Sequence, residues 1–172
     1  MTAPTPTTGP TIALGDLSDP RVLRLLEDHL ADMYATSPAE SVHALDVSGL
    51  SDPRVTFWTL QEGDEVLGCV ALKQLEPTHG ELKSMRTRAE HRGRGFGRLL
   101  LDHVIAEAGR RGYRRLSLET GSQEFFAPAR TLYARNGFEV CGPFGDYVLD
   151  PHSVFMEREL TRNTRPDITP TG

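Results

Sequence analysis

The chain has 172 residues, 38% of them hydrophobic and 25% charged, with a formal net charge of −5. That length supplies one ordinary domain with one core, and the acidic balance argues against general nucleic-acid binding, which needs a broadly basic face. No apolar stretch approaches the length of a bilayer span, so no membrane partner is expected.

Residues 1–10, "MTAPTPTTGP", are rich in Thr and Pro and are expected to be a disordered tail. They carry neither the basic start nor the apolar run of a signal peptide. Only two cysteines occur, Cys69 and Cys141, and Cys69 sits inside an apolar run. A reducing, cytoplasmic setting without a disulfide follows. The six histidines show no metal-ligand spacing, so no metal is assigned.

"TIAL" is a short apolar run, read as the first strand. Asp19 and Pro20 then supply an N-cap and a first-turn proline. Val22, Leu25, Leu26, Leu30 and Met33 follow at one-faced helical spacing. "YATSPAESVHALDVSGLSDP" reads as a long loop with one short helical turn. "VTFWTL" and "EVLGCVALKQL" are β-rich and joined by the hairpin signal "QEGD". "GELKSMRT" is a fourth strand. After it, Gly97, Leu100, Leu101, Val104, Ile105 and Ala108 form a helical stripe that Gly112 ends. "RRLSLET" is a fifth strand. "APARTLYARNG" is a helix stopped by Asn136 and Gly137, and "FEV" and "SVFMEREL" are closing strands. A hairpin followed by alternating strands and helices predicts an α+β fold, a mixed sheet with helices on both faces, over residues 11–160. Residues 161–172, "TRNTRPDITPTG", are expected to be a flexible tail.

Between the fourth strand and its helix stands "HRGRGFGR". Helix N-termini leave backbone N–H groups unpaired and carry partial positive charge. Glycines let a phosphate approach that backbone without a Cβ in the way. Residues 83–115 also form a basic island: Lys83, Arg86, Arg88, Arg92, Arg94, Arg98, Arg110, Arg111, Arg114 and Arg115 stand against Glu90, Asp102 and Glu107. In an acidic chain this points to a small anionic ligand, a pyrophosphate above all. A P-loop is excluded, because Gly97 is followed by Arg98 and Leu99 rather than Lys and Ser or Thr. A dinucleotide fingerprint would need its third glycine at position 98, which is arginine. Glu119 nevertheless ends the next strand where a ribose-binding acid would sit, which keeps that alternative open.

Arg92-x-x-Gly95-x-Gly97 resembles the R/Q-x-x-G-x-G/A signature of the GNAT family of N-acetyltransferases. "LKSMRT" resembles that family's fourth strand, "RRLSLET" its fifth, and "ARTLYARNGFE" its late helix segment. "SPAESVHALD", "LSLETGS", "PARTLY" and "DPHSVFM" are similar to bacterial acetyltransferases of the YsnE type. The resemblance implies a mostly antiparallel central sheet whose fourth and fifth strands splay apart. It implies acetyl-CoA as co-substrate, its pyrophosphate on Arg92, Gly93, Arg94, Gly95, Phe96, Gly97 and Arg98, and its pantetheine arm beside Met85, Arg86 and Thr87.

With that donor, an amine acceptor must lose a proton, and Glu119 is the first candidate base, with Glu81 second. A fourth-strand N–H near Met85 or Arg86 would steady the developing oxyanion. Tyr133 matches the tyrosine that serves the family as general acid. Ser41, His43, Glu81, Ser84, Arg86, Phe126, Tyr147 and Ser153 are the candidate acceptor contacts. Ser84 and Arg86 are expected on one side of the strand by its period of two. A buried Arg86 needs a partner, and a substrate carboxylate or an internal Asp or Glu would suit. The former favours a small-molecule, amino-acid-like amine. An acyl-CoA-binding sensor of the same fold, without turnover, remains the alternative, and a homodimer stays open.

Overall fold

The computed structural model describes residues 9–43 and 46–160. Most of the expected N-terminal tail and the whole C-terminal one lie outside the described residues.

Strand β1 (Thr11–Leu14) leads into helix α1 (Pro20–Thr36). The Asp19 side chain accepts from the backbone N–H of Arg21 at 2.9 Å, capping the helix as its sequence position implies. Asp19→Ala is expected to cost about 1 kcal/mol, read as a melting temperature lower by a few degrees. Two short turns, not one, fill the connection to the next strand: a 3-10 turn at Ala39–Ser41 and α2 (Val47–Leu50).

Next come β2 (Val55–Glu62), β3 (Glu65–Glu76) and β4 (His79–Thr87), paired antiparallel in succession. Helix α3 (Phe96–Arg110) returns the chain to β5 (Arg115–Gly121). A 3-10 turn at Glu124–Phe126, absent from the sequence reading, precedes α4 (Ala127–Arg135). The strands β6 (Glu139–Cys141) and β7 (Ser153–Glu159) close the chain. One seven-stranded sheet results, in the order β1-β2-β3-β4-β5-β7-β6, with every pair antiparallel except β4–β5.

Each face of this sheet carries its own core. On one, Trp58, Leu60, Leu67, Val70 and Leu72 pack with Leu100, Leu101 and Val104 of α3 and with Tyr133 of α4. On the other, Phe57, Val66, Cys69 and Ala71 pack with Val22, Leu25 and Leu26 of α1 and with Leu50 of α2. Successive residues of β2 and β3 thus divide between the two cores, as alternation along a strand requires.

Two departures from regular pairing position the site. The parallel β4–β5 ladder runs only from His79 and Arg115 to Leu82 and Leu118. Both strands then continue, β4 to Thr87 and β5 to Gly121, and a gap opens between them. In addition, Arg86 pairs with Cys69 but Lys83 with Ala71, so β4 holds one residue more than β3 there. Ser84, at φ 52°, is the one non-glycine residue with positive φ among the described residues. Its carbonyl accepts a bond from Cys69 Sγ at 3.2 Å, which pins the bulge. The bulge corrects the period-two expectation. Lys83 and Arg86, three residues apart, occupy the face shared with Cys69 and Ala71, while Met85 packs against the opposite core.

Candidate active site

Helix α3 begins at Gly95, which has φ 83° and offers no side-chain cap. Gly93 has the same φ, and a Cβ built at either glycine would meet nothing within 4 Å. Both positions therefore need the left-handed conformation while facing open space. The first-turn N–H groups of α3 thus have no side-chain cap.

That space is part of a cavity of about 720 Å³. Of the expected donor contacts, Met85, Arg86, Thr87, Arg92, Gly93, Gly95, Phe96, Gly97 and Arg98 line it. Arg94 is the exception. Held between two left-handed glycines, its guanidinium turns to His91 Nδ1 at 3.0 Å and lies 4.8 Å from the Phe96 ring centre, so its side chain leaves the cavity wall. Arg92 lies over the Phe125 ring at 5.4 Å.

A smaller cavity of about 90 Å³ opens in the splay between β4 and β5. It shares His29, Met33, Met85, Phe126, Ala129 and Tyr133 with the larger one. Glu119 lines it from β5. Burial pushes this carboxyl up to about 7, against the opposing influence of the Ser153 hydroxyl and the Lys83 ammonium. Tyr133 is 5% exposed, and burial, then the charge of Glu119, raise its phenol well above the ordinary range. It therefore stays protonated throughout the physiological range.

Glu81 also lines the small cavity, but it is already engaged. Its Oε2 accepts from Lys83 Nζ at 3.0 Å and from the Tyr147 hydroxyl, while Lys83 Nζ also donates to that hydroxyl at 2.7 Å. Glu81, expected as the second base, is thus one corner of a closed polar triangle whose other corners are Lys83 and Tyr147. Burial, then the negative charge and hydrogen bond of Glu81, raise the Tyr147 phenol. His43 meets the Tyr147 ring edge-on at 5.0 Å. Burial, then the charge of Lys83, lower its imidazole pKa.

Three expected acceptor contacts lie off the wall of the small cavity: Ser41, Ser153 and Arg86, the last of which lines the larger one. The Ser41 hydroxyl donates to Asp150 Oδ2 at 2.5 Å, tying the turn after α1 to the segment before β7. Ser153, opposite Gly121 on β7, turns its buried Oγ toward Glu119 close enough to favour the carboxylate, though short of a well-formed hydrogen bond. Ser84 remains on the wall, its Oγ unpartnered among the described residues. Arg86 finds the internal partner that had been one of two options, donating from Nη1 to Asp32 Oδ2 of α1 at 2.7 Å. Lys83, Asp32 and His29 also line these cavities and were not among the expected contacts. Alternation along β4 could have found Lys83, which shares a face with Glu81 two residues before it. Burial, then the charge of Arg86, push His29 down to about 4, so it is neutral.

A family model described as "Acetyltransferase (GNAT) family" matches residues 22–138. The uncharacterised N-acetyltransferase YsnE of Bacillus subtilis (strain 168) is 52% identical over 149 residues, covering 87% of this chain and 99% of its own. A protein named IAA acetyltransferase, from Azospirillum brasilense, is 38% identical over 87% of this chain and 97% of its own. Among solved structures, a Klebsiella pneumoniae protein designated an acyl-CoA N-acyltransferase superposes with a TM-score of 0.75 at 31% identity, covering 90% of this chain and 100% of that one.

Proposed function

This chain belongs to the acetyltransferase (GNAT) family, and we propose that it moves the acetyl group of acetyl-CoA directly to the amine of a small-molecule acceptor, both bound at once. One observation carries the reading: two cavities meet at a wall made by Met85 and Tyr133, one running onto the bare amides of α3 and the other holding Glu119. The larger cavity fits a coenzyme with a diphosphate, because its open end combines unpaired helix N–H groups, two left-handed glycines and the guanidinium groups of Arg92 and Arg98. The bound donor supplies an acetyl thioester. The relative named an IAA acetyltransferase supports a small acceptor. A cytoplasmic setting, where a coenzyme thioester is at hand, fits the two free cysteines.

Glu119 takes the proton that the attacking amine must lose, and a carboxyl near 7 is well placed for it. The amine nitrogen bonds to the acetyl carbon, the carbon–sulfur bond breaks, and the sulfur leaves as thiolate beside Tyr133. The phenol steadies that thiolate with its O–H. Because burial makes it a weaker acid, full proton transfer runs uphill and hydrogen bonding is the larger part of its role. Tyr133→Phe is therefore expected to lower kcat by about tenfold to a hundredfold at saturating substrates, less than loss of a full general acid. Unchanged turnover would remove Tyr133 from the chemistry.

The overall reading is tested by melting the protein with acetyl-CoA and following thiol release over an amine panel. At about 100 times its Kd the donor adds about 2.7 kcal/mol of stability, a shift of several degrees. Intersecting initial-rate lines are expected, as for a ternary complex. Failure of acetyl-CoA to raise the melting temperature, or thiol release independent of added amine, would overturn the proposal.

A further inference from the structure

Resting on the transferase reading above, we propose that Asp32 is a resident counter-ion that holds Arg86 in the free protein and yields it to the carboxylate of the acceptor. The pair would thereby select amines that also carry a carboxylate, the amino acids and their close derivatives.

The Arg86 side chain is 8% exposed, and a guanidinium cannot shed its charge when buried. It needs acceptors around its fork, yet among the described residues one side-chain bond is formed, from Nη1 to Asp32. Its Nε is buried without a hydrogen-bond partner among the described residues. A guanidinium held at one corner, with its Nε–H enclosed and unpartnered, keeps donors in reserve for the planar two-point bond that a carboxylate makes once Asp32 moves aside. Arg86 lines the larger cavity, next in sequence to Met85 on the wall shared with the Glu119 cavity.

Asp32 is built to let go. Its side chain is 40% exposed, so its carboxylate keeps access to water. Its Oδ2 also lies 3.9 Å from Arg92 Nη2, a second cation to which it can move. Of the other cations on this wall, Arg92 and Arg98 stand at the end assigned above to the donor's diphosphate. Lys83 is tied to Glu81 and Tyr147, and His29 is uncharged. Glu119 requires the amine end of the acceptor, and Arg86 is the buried cation left to receive the opposite end.

The test uses the full chain with acetyl-CoA at saturation. The acceptors are the common α-amino acids, their carboxamides, and the amines lacking the carboxyl. The best amino acid is expected to exceed its carboxamide in kcat/KM by tens of fold. Arg86→Gln should cut that preference by about thirtyfold, through KM for the amino acid. Arg86→Lys, which keeps the charge but loses the fork, should fall between. Asp32→Asn should lower KM for the amino acid severalfold, because the competing carboxylate is gone.

If other amines are acetylated and no amino acid is preferred to its carboxamide, the inference fails while the transferase reading stands. If acetyl-CoA binds and no amine is acetylated, the transferase reading itself fails. An equal loss for amino acid and carboxamide would assign Arg86 a structural role. A parallel rise in KM for acetyl-CoA would assign it to the donor. Either result overturns the inference.

Discussion

Glu119→Gln is expected to lower kcat/KM by two to three orders of magnitude at pH 7.5, within the range for loss of a general base. The wild-type pH profile should rise through about 7, where burial places the Glu119 carboxyl. The group acts as carboxylate, so activity is absent well below that pH and complete above it. In the Gln variant that limb should vanish, leaving only the titration of the acceptor amine. Stability should move the other way. A carboxyl whose folded pKa lies above its unfolded one binds more protons when folded, so its contribution to stability falls as pH rises from about 4.5 to about 7. Glu119→Gln removes that cost, and the variant should melt above wild type at pH 8 and level with it near pH 4. A variant that keeps both the rate and the limb near 7 would make Glu119 a bystander. One that loses activity and also melts lower at pH 8 would assign it a structural part.

What could be read from the sequence was whatever local chemistry dictates. The α3 stripe from Leu100 to Ala108, the cap at Asp19 and the helix stop at Gly112 follow from spacing and residue type alone. The resemblance supplied what periodicity could not, the parting of β4 and β5. The errors cluster where distant segments meet. Ser41 is held by Asp150, 109 residues away, and no local signal marks that bond. Glu81 looked like a free carboxylate because Tyr147, 66 residues later, comes from a loop with no regular period. The bulge at Ser84 broke the alternation on which the placing of Ser84 and Arg86 relied. A serine at φ 52° is strained, and nothing in "LKSMRT" announces it. That strain sits on the wall of the small cavity, where the proposed chemistry would take place.

Gly95→Val is expected to weaken acetyl-CoA binding by at least about a hundredfold, roughly the loss of two charge-assisted hydrogen bonds. The variant confounds two effects, and α3 itself separates them. Gly95 opens the helix at φ 83° and Gly112 follows its end at φ 80°, and a Cβ at either meets nothing within 4 Å. Valine at either position forces a β-branched residue into the left-handed region, costing about 2 kcal/mol or somewhat more of stability. Both variants should therefore melt several degrees lower while remaining folded. Only at Gly95 does the new side chain enter the space in front of the unpaired amides. At Gly112 it enters solvent beside N–H groups already bonded, Gly112 to Gly109 O at 3.1 Å and Tyr113 to Ala108 O at 3.0 Å. Titration calorimetry with acetyl-CoA should thus find wild-type affinity in Gly112→Val and little binding in Gly95→Val. Equal affinity in the two variants would mean that the coenzyme's diphosphate lies elsewhere, and the assignment of the large cavity to the donor would fall with it.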